Sequence, residues 1–234
     1  MRIRFSRILP LLTICCVTAS CGSGETSETV SGELPHKLTS GQTGKLILGN
    51  MKESASRDST AHWIDITPPD VWEQTGLQLF KNIERASNGD TFAVSDGKAV
   101  QIGIGFGGYG VTSAVPYDVN KDGTVDIVYA YSFGSGIHRS VIAWLDLQDF
   151  TEHNIPDKPA VTEFRQEDLI LKTEDKQIAV YRIKGMDHSK VSFDVLRTYP
   201  TTKDIENMTL LKEGELVWDN GGVFNILYKA NMRN

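Results

Sequence analysis

From Leu77 to Tyr228 the chain divides its apolar residues into short runs and sets Asn, Asp and Gly between them. That punctuation constrains the fold more than any other feature. The runs are Leu77 to Ile83, Thr91 to Val94, Ala99 to Phe106, Ile127 to Phe133 and Val141 to Leu147, followed by Leu169 to Lys172, Ile178 to Ile183, Val191 to Tyr199, Glu215 to Trp218 and Val223 to Tyr228. Runs this short have the length of strands and not of helices. Ser87 to Asp90, Ser95 to Gly97, Glu174 to Gln177 and Asp219 to Gly222 separate neighbouring runs with the residues that tight hairpin turns require. About ten strands are expected, in a mostly β fold: an antiparallel β-sandwich or a partial propeller-like sheet. No sequence period of solenoid or propeller length recurs, so a full propeller has no support.

One short helix interrupts this pattern. Thr67, Pro68, Pro69 and Asp70 supply an N-cap hydroxyl, prolines suited to a first turn and a carboxylate at the positive end of the helix dipole, and Gly76 supplies a stop. Order is expected to begin just before it, at the alternating segment His62 to Ile66.

The first sixty residues read differently. Arg2, Arg4 and Arg7 precede an apolar run from Ile8 to Val17, which matches a signal-peptide core and is too short to cross a bilayer. All three cysteines, Cys15, Cys16 and Cys21, lie in this region. Thr18, Ala19, Ser20 and Cys21 together resemble a bacterial lipobox, in which a peptidase cuts before a cysteine that carries a diacylglycerol. Thr18 stands where such sequences usually have Leu. The resemblance implies lipidation at Cys21, with residues 1–20 removed as signal peptide. Residues 21–60, rich in Gly, Ser, Thr, Glu and Lys and broken only by Lys45 to Leu48, read as a lipidated N-terminus and flexible tether. Residues 61–234 then form a single β-rich domain. With no thiol to spare, that domain cannot be held by internal disulfides.

The densest chemical signal is Asp118, Asn120, Asp122, Gly123, Thr124 and Asp126. Oxygen-bearing side chains at positions one, three, five and nine, a glycine at six and the carbonyl of Thr124 at seven suit the many-oxygen shell of Ca2+ better than the tighter octahedron of Mg2+. A helix-flanked calcium hand also needs a bidentate Glu at position twelve, where this chain has Tyr129, and strand-like residues follow directly. Asp118 to Ile127 instead resembles the calcium loops of FG-GAP and VCBS-type β-proteins, which carry the loop in repeated blades where this chain has one copy; the resemblance implies a metal set of Asp118, Asn120, Asp122, Thr124 and Asp126. The longer run from Asn120 to Ser140 is similar to a group of uncharacterised bacterial exported proteins, a likeness that implies no activity. A polar turn without metal is the alternative reading of the same residues.

Other motifs are weaker. Gly103, Gly105 and Gly108 satisfy the spacing of a dinucleotide loop, but the segment after them holds Gly110 and Pro116 and offers no helix start, so these glycines are expected to serve bends and close approaches. Gly134 to Ser140 contains His138 and Arg139, which an enzyme could use as acid or base and as anion clamp. No second histidine or carboxylate is spaced to orient His138. The loop is expected to pack beside the acidic loop and steady it. His62, His153 and His188 lack zinc-ligand spacing, and Trp63, Trp72, Trp144 and Trp218 are expected in the core.

With 40% hydrophobic and 23% charged residues the chain is neither disordered nor a membrane bundle, and its net charge of −6 excludes a nucleic-acid surface. The reading that results is a non-enzymatic, lipid-anchored, calcium-stabilised binding or structural module of the bacterial cell envelope, at the outer membrane or facing the periplasm. Its partners are the membrane, through the anchor, and a protein or glycan. The alternative is an envelope hydrolase using His138 and Arg139.

Overall fold

A computed structural model describes residues 36–50, 62–83, 90–103, 106–134, 139–155, 168–218 and 224–228, the last segment through its backbone. Residues 1–35, Cys21 among them, His138 and the segments 84–89 and 219–223 that include the expected turns lie outside the described residues.

The strands assemble into three four-stranded antiparallel sheets, each a meander of consecutive strands. The first contains β1 (Trp63–Asp65), β2 (Gln78–Asn82), β3 (Thr91–Ser95) and β4 (Lys98–Ile102). The central sheet contains β5 (Gly110–Tyr117), β6 (Asp126–Phe133), β7 (Arg139–Asp146) and β8 (Thr151–Asn154). The third contains β9 (Leu169–Glu174), β10 (Gln177–Met186), β11 (Met208–Trp218) and β12 (Phe224–Tyr228). This is the mostly β, antiparallel architecture that the short runs imply. The same meander is built three times without a matching sequence repeat, because each sheet meets its own requirement for alternating burial with different residues.

Two hairpins show how local chemistry sets register. Ser95 pairs with Lys98 around Asp96 and Gly97, both at positive φ (47° and 76°), the primed turn whose twist matches that of the flanking strands. Glu174 pairs with Gln177 around Asp175 and Lys176 at 48° and 64°, the same turn made without glycine.

Strands β5 and β6 of the central sheet are buried on both faces. On one side Ile127, Tyr129 and Tyr131 of β6 pack with Leu79, Ala93 and Ile102 of the first sheet. On the other, Val128 and Ala130 pack with Leu169, Leu171, Ile178, Val180 and Leu216 of the third. Strand alternation puts successive side chains on opposite faces, so a strand covered twice must be apolar at nearly every position. That accounts for the unbroken run from Ile127 to Tyr131.

Four helical segments are described, where the sequence points to one: α1 (Ser40–Asn50), α2 (Pro69–Thr75), α3 (Val195–Thr198) and α4 (Thr202–Glu206). α2 is the expected helix, closed by Gly76 at φ 65°, but its cap position is Pro68 without a side-chain hydrogen bond. The Thr67 hydroxyl is used elsewhere, bonding to Asp65 and accepting the Leu79 N–H at 2.8 Å. α1 lies inside the segment read as tether. It buries Thr43 and Ile47, and Ile47 packs with Trp63, Phe80, Phe92 and Val94, so the folded domain begins near Leu38 and not at residue 61. Val191 to Tyr199, read as a strand, is a turn followed by α3. Its β-branched residues are drawn into a satellite cluster of Val191, Val195, Leu196 and Met208 in place of a ladder. β5 was hidden from the sequence pattern by Gly110 and Pro116, and β8 by its wholly exposed Thr151–Asn154. Among the described residues no helix is long and apolar enough to cross a membrane.

Candidate functional site

The acidic segment joins β5 to β6 at one end of the central sheet, with Tyr117 and Asp126 paired across its base. Val119, fully buried in the core shared with the third sheet, anchors the loop from beneath. Positive φ at Lys121 (60°) and Gly123 (88°) then curls the chain back on itself.

The polar side chains turn inward and tie down backbone donors. Asp118 Oδ2 accepts the Gly123 N–H at 3.1 Å, Asn120 Oδ1 the Asp122 N–H at 3.1 Å, and Asp122 Oδ1 the Thr124 N–H at 2.7 Å. Asp126 has no exposed surface; Oδ2 accepts the Val119 N–H at 3.1 Å and Oδ1 the Leu147 N–H at 3.2 Å. The other oxygen of Asp118, Oδ1, is buried and has no hydrogen-bond donor.

Two residues that sequence reading missed complete the site. Gln148, in the turn between β7 and β8, donates from Nε2 to Asp122 Oδ2 at 2.8 Å and to Thr124 Oγ1 at 3.2 Å. Asp146 accepts from Asn120 Nδ2 at 3.5 Å and from the Gln148 N–H at 2.8 Å. The signal that could have found them is topological: in a meander, alternate turns fall at the same end, so the β5–β6 and β7–β8 turns must be neighbours.

The electrostatics follow from this crowding. Burial pushes the Asp126 carboxyl up to about 6, and the charges of Asp146 and Asp122 add to that against the pull of the two backbone N–H groups. The exposed Asp122 is shifted the other way, chiefly because the Thr124 N–H stabilises its ionised form. Four carboxylates therefore converge on two adjoining turns. Among the described residues no group of three or more His, Cys, Asp or Glu side chains is arranged as a ready-made metal cage. The side-chain oxygens of the loop are instead engaged by its own backbone N–H groups and by Gln148.

No protein-family model, curated protein or solved structure matches the chain.

The loop from Gly134 to Ser140 does not steady this site. Arg139 opens β7 opposite Phe133, at the end of β6 remote from Asp126, roughly 20 Å away along an eight-residue strand. The turn between β7 and β8 occupies the place beside the acidic loop. His138 lies outside the described residues.

The glycine run behaves as close-packing chemistry requires. A Cβ on Gly103, at φ 64°, would lie 2.8 Å from the Tyr131 ring, and one on Gly108 would lie 2.3 Å from the Ser132 carbonyl oxygen. β5 follows them in place of a helix. The freed Gly103 N–H donates to Glu152 Oε1 at 2.7 Å, and the Tyr129 hydroxyl bonds to the same oxygen. Trp63 meets Phe92 edge to face, and Trp144 stacks on His153 at 4.4 Å while packing against the core.

Proposed function

We propose that this chain is a lipid-anchored domain of the bacterial cell envelope, stabilised by Ca2+ in the loop from Asp118 to Asp126, that serves as a binding or structural module and not as an enzyme. Asp118, Asn120, Asp122, the Thr124 carbonyl and Asp126 would hold the ion. The observation that supports this reading best is Asp118 Oδ1, a buried acceptor without a donor in a loop that already gathers Asp122, Asp126 and Asp146. A buried unsatisfied oxygen is costly, and a hard cation supplies what it lacks while offsetting the repulsion of its neighbours. Supplying charge neutralisation to the turns of the central sheet is the whole of the chemistry the ion would contribute.

The test is a thermal melt of the mature protein with calcium and with chelator. At calcium a hundredfold above its Kd the domain should gain about 2.7 kcal/mol, several degrees in Tm. Asp122→Ala should remove most of that gain, and its chelated melt should fall by a smaller amount through loss of the bonds to the Thr124 N–H and to Gln148. Equal melts with calcium and chelator would refute the site.

The anchor rests on the basic head, the short apolar run and Cys21. Intact mass of protein extracted from membranes should begin at Cys21 with added acyl mass. A mature chain starting elsewhere without that mass would overturn the anchoring.

A further inference from the structure

Between β10 and β11 the chain makes a long excursion, residues 187–207, whose ends meet where the Asp187 N–H donates to the Asn207 carbonyl at 3.0 Å. This excursion holds α3 and α4 and folds back across the first sheet. Its apolar residues Val191, Val195 and Leu196 join Met208, Tyr109 and Ile183 in a cluster separate from the two main cores. Segments held by a small satellite cluster open at lower free energy than the core does.

Two long side chains tie the excursion down. Lys81 of β2, with no exposed surface, directs Nζ to the Leu196 carbonyl at 3.3 Å. In return Arg197 donates from Nη2 to the Ile83 carbonyl at 2.7 Å. Lys81 is an unusual choice for such a place. It faces the interior between Leu79 and the sheet's end, where an ionised amine loses its hydration.

We propose that residues 187–207 form a proton-released strap, held against the first sheet by Lys81 and Arg197, whose grip weakens when Lys81 is protonated.

The titratable and charged groups around Lys81 come from three places. Asp168, just ahead of β9, favours the charged amine; Tyr109, ahead of β5, feels Asp168 and Asp194; Asp194 and Arg197 belong to the strap itself. Burial outweighs the pull of Asp168 and draws the Lys81 amine down to about 7 from its ordinary 10.5. The sign follows from linkage. Opening the strap hydrates the amine and restores its ordinary affinity for a proton, so the open form binds more protons than the closed form between those two values. Closure is therefore fullest above the ordinary lysine value and is lost as pH falls toward about 7, below which it levels off.

Hydrogen exchange on the full-length chain tests this, read as protection factors so that the intrinsic pH dependence of exchange is removed. The Arg197 and Thr198 amides, which both bond to the Asp194 carbonyl, report the strap. They should be less protected than the ladder between β6 and β7, and from pH 7 to 9 their protection should rise on the order of tenfold per pH unit. Lys81→Met should flatten that rise. Arg197→Ala, a substitution of a partly exposed side chain, should lower protection by a constant factor and leave the slope intact. A flat wild-type profile, strap protection equal to that of the β6–β7 ladder at every pH, or a slope that survives Lys81→Met would each overturn the proposal.

Discussion

Asp126 and Leu147 are joined by a hydrogen bond of 3.2 Å from the Leu147 N–H to a carboxylate with no exposed surface, so one side chain fastens the start of β6 to the turn between β7 and β8. Its second oxygen holds Val119 in the same way. Asp126 thus organises the acidic loop whether or not an ion is bound.

Asp126→Asn should show this. The amide keeps one acceptor but turns an NH2 group toward a backbone N–H, leaving a buried donor without an acceptor at a cost of about 1–3 kcal/mol. Urea unfolding in the presence of chelator measures the loss. A midpoint equal to wild type would mean the two N–H groups find other acceptors.

Gly108→Ala places a Cβ against backbone atoms of Ser132 and Phe133, with contacts from 2.3 Å, and no rotamer change can relieve it. Losses at or above the usual overpacking range of about 1–3 kcal/mol are expected. Gly97→Ala, where the added carbon meets nothing within 4 Å, should cost only the strain of its φ of 76°, about 1 kcal/mol. Denaturant midpoints of the two variants should differ in that order.

Ile47→Ala tests whether α1 belongs to the domain. Ile47 is fully buried among Trp63, Phe80, Phe92 and Val94, so truncation should cost about 2–5 kcal/mol or undock the helix. Limited proteolysis distinguishes a packed α1 from a tether: the wild-type chain should resist cleavage at Lys45, and Ile47→Ala should be cut there.

Alkaline pH should destabilise the domain through its buried tyrosines. Burial raises the Tyr129 hydroxyl far above its usual value, the neighbouring Glu152 charge adding to the effect, and burial pushes Tyr131 up to about 12. The folded chain therefore holds protons that the unfolded chain releases above about pH 10, and stability present below that pH is lost as pH rises beyond it. In the Lys81→Met background, which removes the opposing linkage of the buried lysine, urea midpoints at pH 9, 10 and 11 should fall in order, and adding Tyr129→Phe should reduce the slope.

Much of the sheet content was legible in advance because hairpin chemistry is local. Asp96 and Gly97 sit next to the strands they connect, and the run from Ile127 to Tyr131 carries its two-faced burial in its composition. The acidic loop was legible for the same reason: its spacing places every oxygen within one turn of chain. Glu152 was not legible as the partner of Tyr129, since nothing in an exposed strand marks which carboxylate will reach a hydroxyl on the next-but-one strand. Val191 to Tyr199 was misread because β-branched residues favour strands only where a neighbouring strand offers a ladder, and here the surroundings offer an apolar cluster instead.

By itself, then, the sequence determined the hairpins at Asp96 and at Asp175, most of the strands though not β5 or β8, and where a loop of inward-facing oxygens would lie, because those outcomes depend on residues a few positions apart. Only the tertiary structure decided that Asp146 and Gln148 would close that loop, that α1 would dock on Trp63, and that Lys81 would be buried beneath Leu196. Those contacts join residues up to 115 positions apart. They exist only after the sheets have stacked, since burial, and the shift in a lysine's protonation that comes with it, is a property of the assembled interior and not of any stretch of chain.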